Sequence, residues 1–353
     1  MPHCSRAFSR FCGSPSVKNK SERTSKMKNM IAEIKKNASF LKKIGLASGL
    51  ISAVSPESRN HIPSVSPESV YASSEGDRLH FLNVGRAGCI LIQSGSHFAL
   101  VDCADKAHFQ TVSDYLKNVA ADESGNVKLD FVVFTHAHSG HIGAAEELFG
   151  DEKISVDTVY IKELCEENLG SEEERLNCSS LRSRAIISAE QAGAVVCTEI
   201  PAGYFDFGSF RLRFVNIEPD NYHRNIDEND NSLGLIVSKA DKKILLTGDM
   251  TDRTGDLSRL ADLVGRVDVF ELPRHGEENL KKDIVKALSP EVIIAANSIA
   301  DIPAQVLGDC MLNCNATVYS TVENGGLIIT VADSGELRLT NNIHKEERIT
   351  ENA

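Results

Sequence analysis

Lys128-Leu-Asp-Phe-Val-Val-Phe134, followed at once by Thr135-His136-Ala137-His138-Ser139-Gly140-His141-Ile142-Gly143, is the stretch on which the reading of this chain turns. Its first half is an almost continuous apolar run rich in Val and Phe, the pattern of a strand buried on both faces. Its second half places three of the chain's eleven histidines within six residues, and helical spacing follows from Ile142 to Phe149. Imidazoles at i and i+2 on an extended turn can face one cation, while a third at i+5, on the first helical turn, points to a neighbouring position.

Working outward, Leu79-His-Phe-Leu-Asn-Val84, Cys89-Ile-Leu-Ile-Gln93 and His97-Phe-Ala-Leu-Val-Asp102 read as three strands separated by glycine-containing turns, with the folded part beginning at Arg78. A helix over 107–120 precedes the central strand. Beyond the histidines the pattern predicts a strand at 155–161, a charged helix at 171–192, strands at 194–199 and 209–217, and a polar loop at 218–231. Strands at 232–237 and 243–246 follow, joined by a Lys-Ala-Asp-Lys turn, then a helix at 254–263 and strands at 267–271 and 291–296. A helix near 303–312 and strands at 316–320, 326–332 and 336–340 complete the pattern. Two groups of strands, each closed by helices, predict an α/β fold of two packed sheets with helices outside.

With 353 residues, 41% hydrophobic and 25% charged, the chain suits one large or two modest domains with a substantial core. No stretch approaches the roughly eighteen uninterrupted apolar residues of a membrane-spanning helix. The net charge of −12 is uneven: residues 1–45 carry eleven Lys/Arg against two Glu, leaving 27 basic against 48 acidic side chains in the body. Such a body disfavours tight non-specific binding to nucleic acid, which needs a basic surface, without excluding a local patch.

Residues 1–76 read as a basic, low-complexity leader or linker, with prolines at 56, 63 and 67 and Val-Ser-Pro-Glu-Ser repeated at 54–58 and 65–69. Within it the 27–54 segment has the order of a secretory signal if translation starts near Met27 or Met30, which would send the protein to the cell envelope or outside. A plain basic tail, leaving the protein cytoplasmic, and an organelle transit peptide are the other readings. Nine cysteines without a C-x-x-C do not fix the redox compartment.

Two further acceptors stand where strands end: Asp249 in Leu245-Leu-Thr-Gly-Asp249, and His275 in Glu271-Leu-Pro-Arg-His275-Gly276. Each alone reads as a turn or cap residue. In this order after the histidine cluster, the set resembles the metallo-β-lactamase superfamily, and within it the free-standing hydrolase domain of ComEC-type competence proteins. The resemblance covers about 78–341. It rests on Phe81-Leu-Asn-Val-Gly85, Leu100-Val-Asp102, the histidine segment 135–143, Asn229-Asp-Asn-Ser232, Leu245–Asp249, Leu272-Pro-Arg-His-Gly276 and the closing 319–330 segment.

The resemblance implies a four-layer αββα sandwich over 77–345, with 346–353 a tail, and a metal centre of one or two ions, usually Zn2+ and sometimes Mn2+ or Fe. Carried over by position, His136 and His138 would hold one metal, His141 and His275 the other, and Asp249 would bridge them. Asp102 would lie behind the metal and fix a ligating histidine. Gly140 stands where the family motif HxHxDH has its aspartate. From the polar loop, Asp227 or His223 would supply a further ligand. Arg274, where many relatives have histidine, would clamp an anionic group. The implied chemistry is hydrolysis of a phosphodiester or related ester, in a small molecule or the cell envelope, by metal-bound hydroxide. Two alternatives stand beside it: a single-metal or metal-free member that binds a ligand or partner, and a competence nuclease acting on DNA.

Overall fold

Alternating side chains on strands that are apolar on both faces can serve two layers at once, and the central strands of this chain do so. The computed structural model describes residues 64–65, 76–218, 227–278 and 280–344, all within one compact unit. The first sheet opens with β1 (Ser64–Val65), β2 (Asp77–Phe81), β3 (Ile90–Ser94) and β4 (His97–Val101), then β5 (Val127–Phe134), β6 (Ile154–Ile161) and β7 (Val195–Cys197). The second comprises β8 (Tyr204–Phe207), β9 (Phe210–Val215), β10 (Gly234–Lys239), β11 (Lys242–Leu246), β12 (Val269–Glu271), β13 (Val292–Ala295) and β14 (Thr317–Ser320). The chain then returns to the first sheet as β15 (Leu327–Val331) and β16 (Leu337–Asn341).

The strand orders are β1-β16-β15-β2-β3-β4-β5-β6-β7 and β14-β13-β12-β11-β10-β9-β8. β4 through β7 run parallel, as do β11 through β14, while β2–β3–β4 and β8–β9–β10–β11 are antiparallel. Parallel neighbours need crossovers. Those of the first sheet are α1 (Phe109–Val119), α2 (Ser139–Ile142), α3 (Ala145–Gly150) and α4 (Glu172–Gln191); those of the second are α5 (Asp256–Val264), α6 (Lys282–Leu288) and α7 (Ala304–Cys314).

β5 shows how the layers form. Phe131 and Val133 enter the core between the sheets with Phe210, Phe214 and Leu235, whereas Leu129, Val132 and Phe134 face the helical layer with Leu116, Ile142 and Leu148. In the second sheet Ile244, Leu246, Val269 and Ile294 join the inter-sheet core. Leu245, Phe270 and Ile293 alternate with them and are equally buried, under the cover of α5 to α7. The result is an αββα sandwich, two packed sheets with helices on their outer faces.

Four local differences from the sequence reading have physical causes. The helix expected over 142–149 is two pieces, the first, α2, starting at Ser139 and carrying His141 on a helical turn as its i+5 spacing implied. β8 forms a hairpin with β9 across Gly208. The seven-residue α6 has a single buried strip, Ile284, Val285 and Leu288, too short for periodicity to mark. Ser64–Val65 pairs in parallel with Leu339–Thr340, so the sheet starts before Arg78. The 27–54 segment, His223 and the tail 346–353 lie outside the described residues. No helix among the described residues is long and apolar enough to cross a membrane.

Phe214, 1% exposed, packs between the sheets with ring centroids 4.9 Å from Tyr160 and 5.4 Å from Phe205. Phe214→Ala is expected to cost about 3–5 kcal/mol, read as a lower urea midpoint with an unchanged slope.

Candidate metal centre

Asp102 follows β4, Thr135 to His141 follow β5, Asp249 follows β11 and His275 follows β12. These are carboxyl ends of parallel strands, the edge at which α/β sheets hold their ligands. Backbone bonds bind the loops together: Leu233 N–H to the Thr135 carbonyl (2.8 Å), Cys103 N–H to the His141 carbonyl (2.8 Å) and Arg274 N–H to the Gly248 carbonyl (3.3 Å). Left-handed backbone gathers here at Asp102 (φ 60°), Ala104 (φ 63°), Arg274 (φ 50°) and His275 (φ 54°). Each non-glycine residue so held costs about 1–2 kcal/mol, which the surrounding bonds sustain.

Asp102 organises the first half of the site. One carboxylate oxygen accepts the Thr135 N–H (2.8 Å), and the other accepts the Thr135 hydroxyl (2.8 Å) and His141 Nδ1–H (2.6 Å). His141 therefore presents Nε2 to the site. Because the Thr135 hydroxyl hydrogen goes to Asp102, its oxygen accepts from His136 Nδ1, 3.0 Å away. The His136 lone pair is thereby placed on Nε2, a buried atom with no hydrogen-bond partner. Gly88 makes room for this arrangement, since a Cβ there would lie 2.7 Å from His141 Nδ1.

Asp249 and His275 close the group. His141 Nε2 lies 3.3 Å from Asp249 Oδ1 and 3.3 Å from His275 Nε2; His275 Nε2 is 3.4 Å from Asp249 Oδ1, and His136 Nε2 is 3.8 Å from Asp249 Oδ2. Burial works against charge on His141, yet the Asp249 and Asp102 carboxylates hold its imidazole well above the ordinary range. Burial likewise opposes charge on Asp249, which His141 and His275 nevertheless hold well below the carboxylate range. His136, pushed well below by burial and then by His141, stays neutral.

The donor set fits a divalent cation. An orphaned buried imidazole nitrogen, a second whose opposite N–H is fixed by a carboxylate, and Asp249 bring ligand atoms within 4.8 Å of one another. Binding there would displace the proton that His141 otherwise holds.

The remaining sequence candidates border this group, the His138 ring lying 4.8 Å from that of His136, centroid to centroid. His138 directs Nδ1 to Asn229 Oδ1 (3.0 Å) and Nε2 toward Glu174 Oε1 (3.8 Å). Asp227 caps the turn at Glu228–Asn231 and accepts from Asn229 N–H. Arg274 Nη1 is 2.5 Å from Glu278 Oε1 and 3.4 Å from Asp227 Oδ2. At Gly140 a Cβ would meet only ordinary contacts, the nearest at 3.7 Å.

Two buried glutamates carry structural weight that sequence reasoning missed. Glu271 Oε2 accepts the N–H groups of Thr247 (2.8 Å) and Gly248 (3.1 Å), shaping the turn that presents Asp249, and burial pushes its carboxyl up to about 7. Glu228 accepts the Ala137 N–H between the two histidines (3.2 Å), and burial pushes it too up to about 7. Neither has a sequence signal: one ends an apolar strand, and the other sits in a polar loop.

A family model described as the metallo-beta-lactamase superfamily matches residues 82–175, the segment carrying Asp102 and all three clustered histidines. Members of that superfamily are metallo-hydrolases that bind divalent metals. Among solved structures, a metallo-beta-lactamase fold protein from Bacillus subtilis is 12% identical, over 70% of this chain and 96% of its own, with a TM-score of 0.44. A metallo hydrolase from the archaeon Ignicoccus hospitalis is 16% identical, over 71% and 97%, at 0.42. A diiron beta-hydroxylase from Streptomyces venezuelae is 13% identical over 69% of this chain at 0.39, and the match spans only 52% of that enzyme. No curated protein matches the chain.

Asp102→Asn is expected to weaken zinc binding about 10–100-fold, because a ligating histidine loses its fixed tautomer; equilibrium dialysis measures it. Glu271, raised from 4.5 to about 7, binds its proton more tightly folded than unfolded. Its stabilising share is full below about pH 4.5 and is lost as pH rises through about 7. Glu271→Gln, which keeps an acceptor for both N–H groups, should flatten the fall in melting temperature of the metal-free protein between about pH 5 and 8.

Proposed function

We propose that this protein is a metal-dependent hydrolase of the metallo-β-lactamase superfamily, acting on a phosphodiester or related ester. The observation that carries the reading is the convergence of the unpartnered His136 Nε2, His141 Nε2, Asp249 and His275 at one strand-end edge. These four would hold the metal, with Zn2+, Mn2+ or Fe suited to a set of imidazoles and one carboxylate. Such an ion, when bound, lowers the pKa of water and polarises the ester under attack.

The chain's own groups do the rest. Asp102 and Thr135 fix the ring orientations of His141 and His136, and Glu271 and Glu228 hold the turns that present Asp249 and the histidines. Arg274, half-buried beside the site, would exchange Glu278 for an anionic oxygen of the substrate. The acidic body favours a small-molecule or cell-envelope ester over long nucleic acid. A second reading, a single-metal or metal-free ligand-binding module, draws on Gly140 in place of a carboxylate and on His138 facing Asn229 and Glu174.

The test uses the full chain, with metal content from inductively coupled plasma mass spectrometry and turnover of bis(p-nitrophenyl) phosphate on one sample. Chelation and Asp249→Asn are each expected to cut turnover by about two orders of magnitude or more. Turnover that survives both eliminates the reading, and a folded chain that takes up no metal moves the assignment to the binding module.

A further inference from the structure

We infer that Arg253 and Arg274 form a phosphate-binding subsite on the rim of the candidate metal centre, one that the chain's own Glu278 occupies until a substrate replaces it. The inference rests on the hydrolase reading and narrows its substrate class to an ester that carries a second, separate phosphate group.

The two guanidinium groups come from different strand ends. Arg253 stands four residues beyond Asp249 in the segment after β11, and Arg274 immediately precedes His275 after β12. Local bonds place both. Arg253 N–H reaches Thr251 Oγ1 (3.3 Å), and that hydroxyl donates to Asp230 Oδ1. Arg274 takes left-handed backbone (φ 50°), and its carbonyl accepts the Glu277 N–H (3.0 Å), closing the turn from which Glu278 extends.

Both groups meet on the same two oxygen atoms. Glu278 Oε1 accepts from Arg253 Nη2 at 2.8 Å and from Arg274 Nη1 at 2.5 Å, while Asp227 Oδ2 lies 3.5 Å from Arg253 Nη1 and 3.4 Å from Arg274 Nη1. Two cations gathered so closely repel unless an anion lies between them. The two carboxylates are not equivalent. Asp227 is fixed, its Oδ1 taking both the backbone and the side-chain N–H of Asn229. The Glu278 carboxylate has no other partner among the described residues, and it is 38% exposed beside an Arg253 that is 50% exposed. Ion pairs so open to water contribute little, so Glu278 exchanges readily.

With Glu278 displaced, two guanidinium groups face one fixed carboxylate, which leaves a net positive charge for an incoming anion. One Glu278 oxygen serves both forks, whereas a phosphate offers three acceptor oxygens and up to twice the charge, giving each guanidinium its own acceptor. The position is too shallow for the group under attack. The side chains of Asp249 and His275 are only 9% and 7% exposed, so the scissile ester belongs inside the rim and the bound phosphate outside it, at another part of the same molecule.

The test compares two p-nitrophenyl phosphodiesters that differ in one remote group: thymidine 5′-(p-nitrophenyl phosphate) with and without a 3′-phosphate, each given to the full chain loaded with Zn2+. Wild type is expected to favour the 3′-phosphorylated probe about tenfold or more in kcat/KM, through KM. Arg253→Gln should abolish that preference by raising KM for the phosphorylated probe. Glu278→Gln, which removes the competing charge, should lower it. Arg266→Gln controls for net charge and should alter neither value, since Arg266 is a surface residue paired with Glu291 in the segment leading into β12. Equal KM for both probes in wild type, or a preference that Arg253→Gln leaves intact, overturns the subsite. Should the loaded chain turn over neither probe, the hydrolase reading is what fails, and calorimetric titration with thymidine 3′,5′-bisphosphate decides the subsite by itself. Affinity about tenfold weaker in Arg253→Gln then upholds it; equal affinity, or no binding to wild type, overturns it.

Discussion

The carboxylate of Asp102 is the constraint on which the site depends. It is 3% exposed and takes three hydrogen bonds, two from Thr135 and one from His141. Through them it sets two imidazoles at once: His141 directly, and His136 through the Thr135 hydroxyl, whose hydrogen it claims. A buried carboxylate left with fewer donors would cost about 1–3 kcal/mol per lost partner, so the arrangement is held as a unit. The left-handed backbone at Asp102 and the bare Cα of Gly88 are what that unit requires of the chain.

Most of the fold was legible because it is written in periodicity. The unbroken apolar run of β5 marked a strand buried on both faces, and the glycine-punctuated runs at 79–102 marked its antiparallel neighbours. Short elements escaped: α6 spans two turns, and Ser64–Val65 is too brief to carry a pattern. At the site, sequence order picked out Asp249 and His275, residues with no meaning in isolation. The orientation of His138 was beyond reach because its partner, Asn229, is 91 residues away. Glu174 lay in an acidic run, Glu172 to Glu174, that the first turn of a helix explains by its dipole alone.

Glu228 and Glu271 make a further point about where acidity resides. The body of the chain is rich in solvated carboxylates, yet these two are taken out of water to hold backbone turns, one on each side of the ligand set. Their burial opposes ionisation, and the N–H groups they accept, with the Asn231 amide at Glu228, oppose that effect. The turns carrying Ala137 and Asp249 are thus held by groups whose own charge is marginal. That couples the shape of the candidate site to protons bound outside the group of His136, His141, Asp249 and His275.

The origin of the candidate ligands in both sheets would have a mechanical consequence once an ion is bound. His136 and His141 hang from β5, Asp249 and His275 from β11 and β12, and the apolar interior between the sheets lies beneath them. An ion bound by all four would act as a clasp across the seam of the sandwich, closing it at the rim where hydrophobic contact ends. Prying the layers apart would then require giving up the ion, so its free concentration would enter the lifetime of the folded chain. Metal supply would govern persistence as well as chemistry.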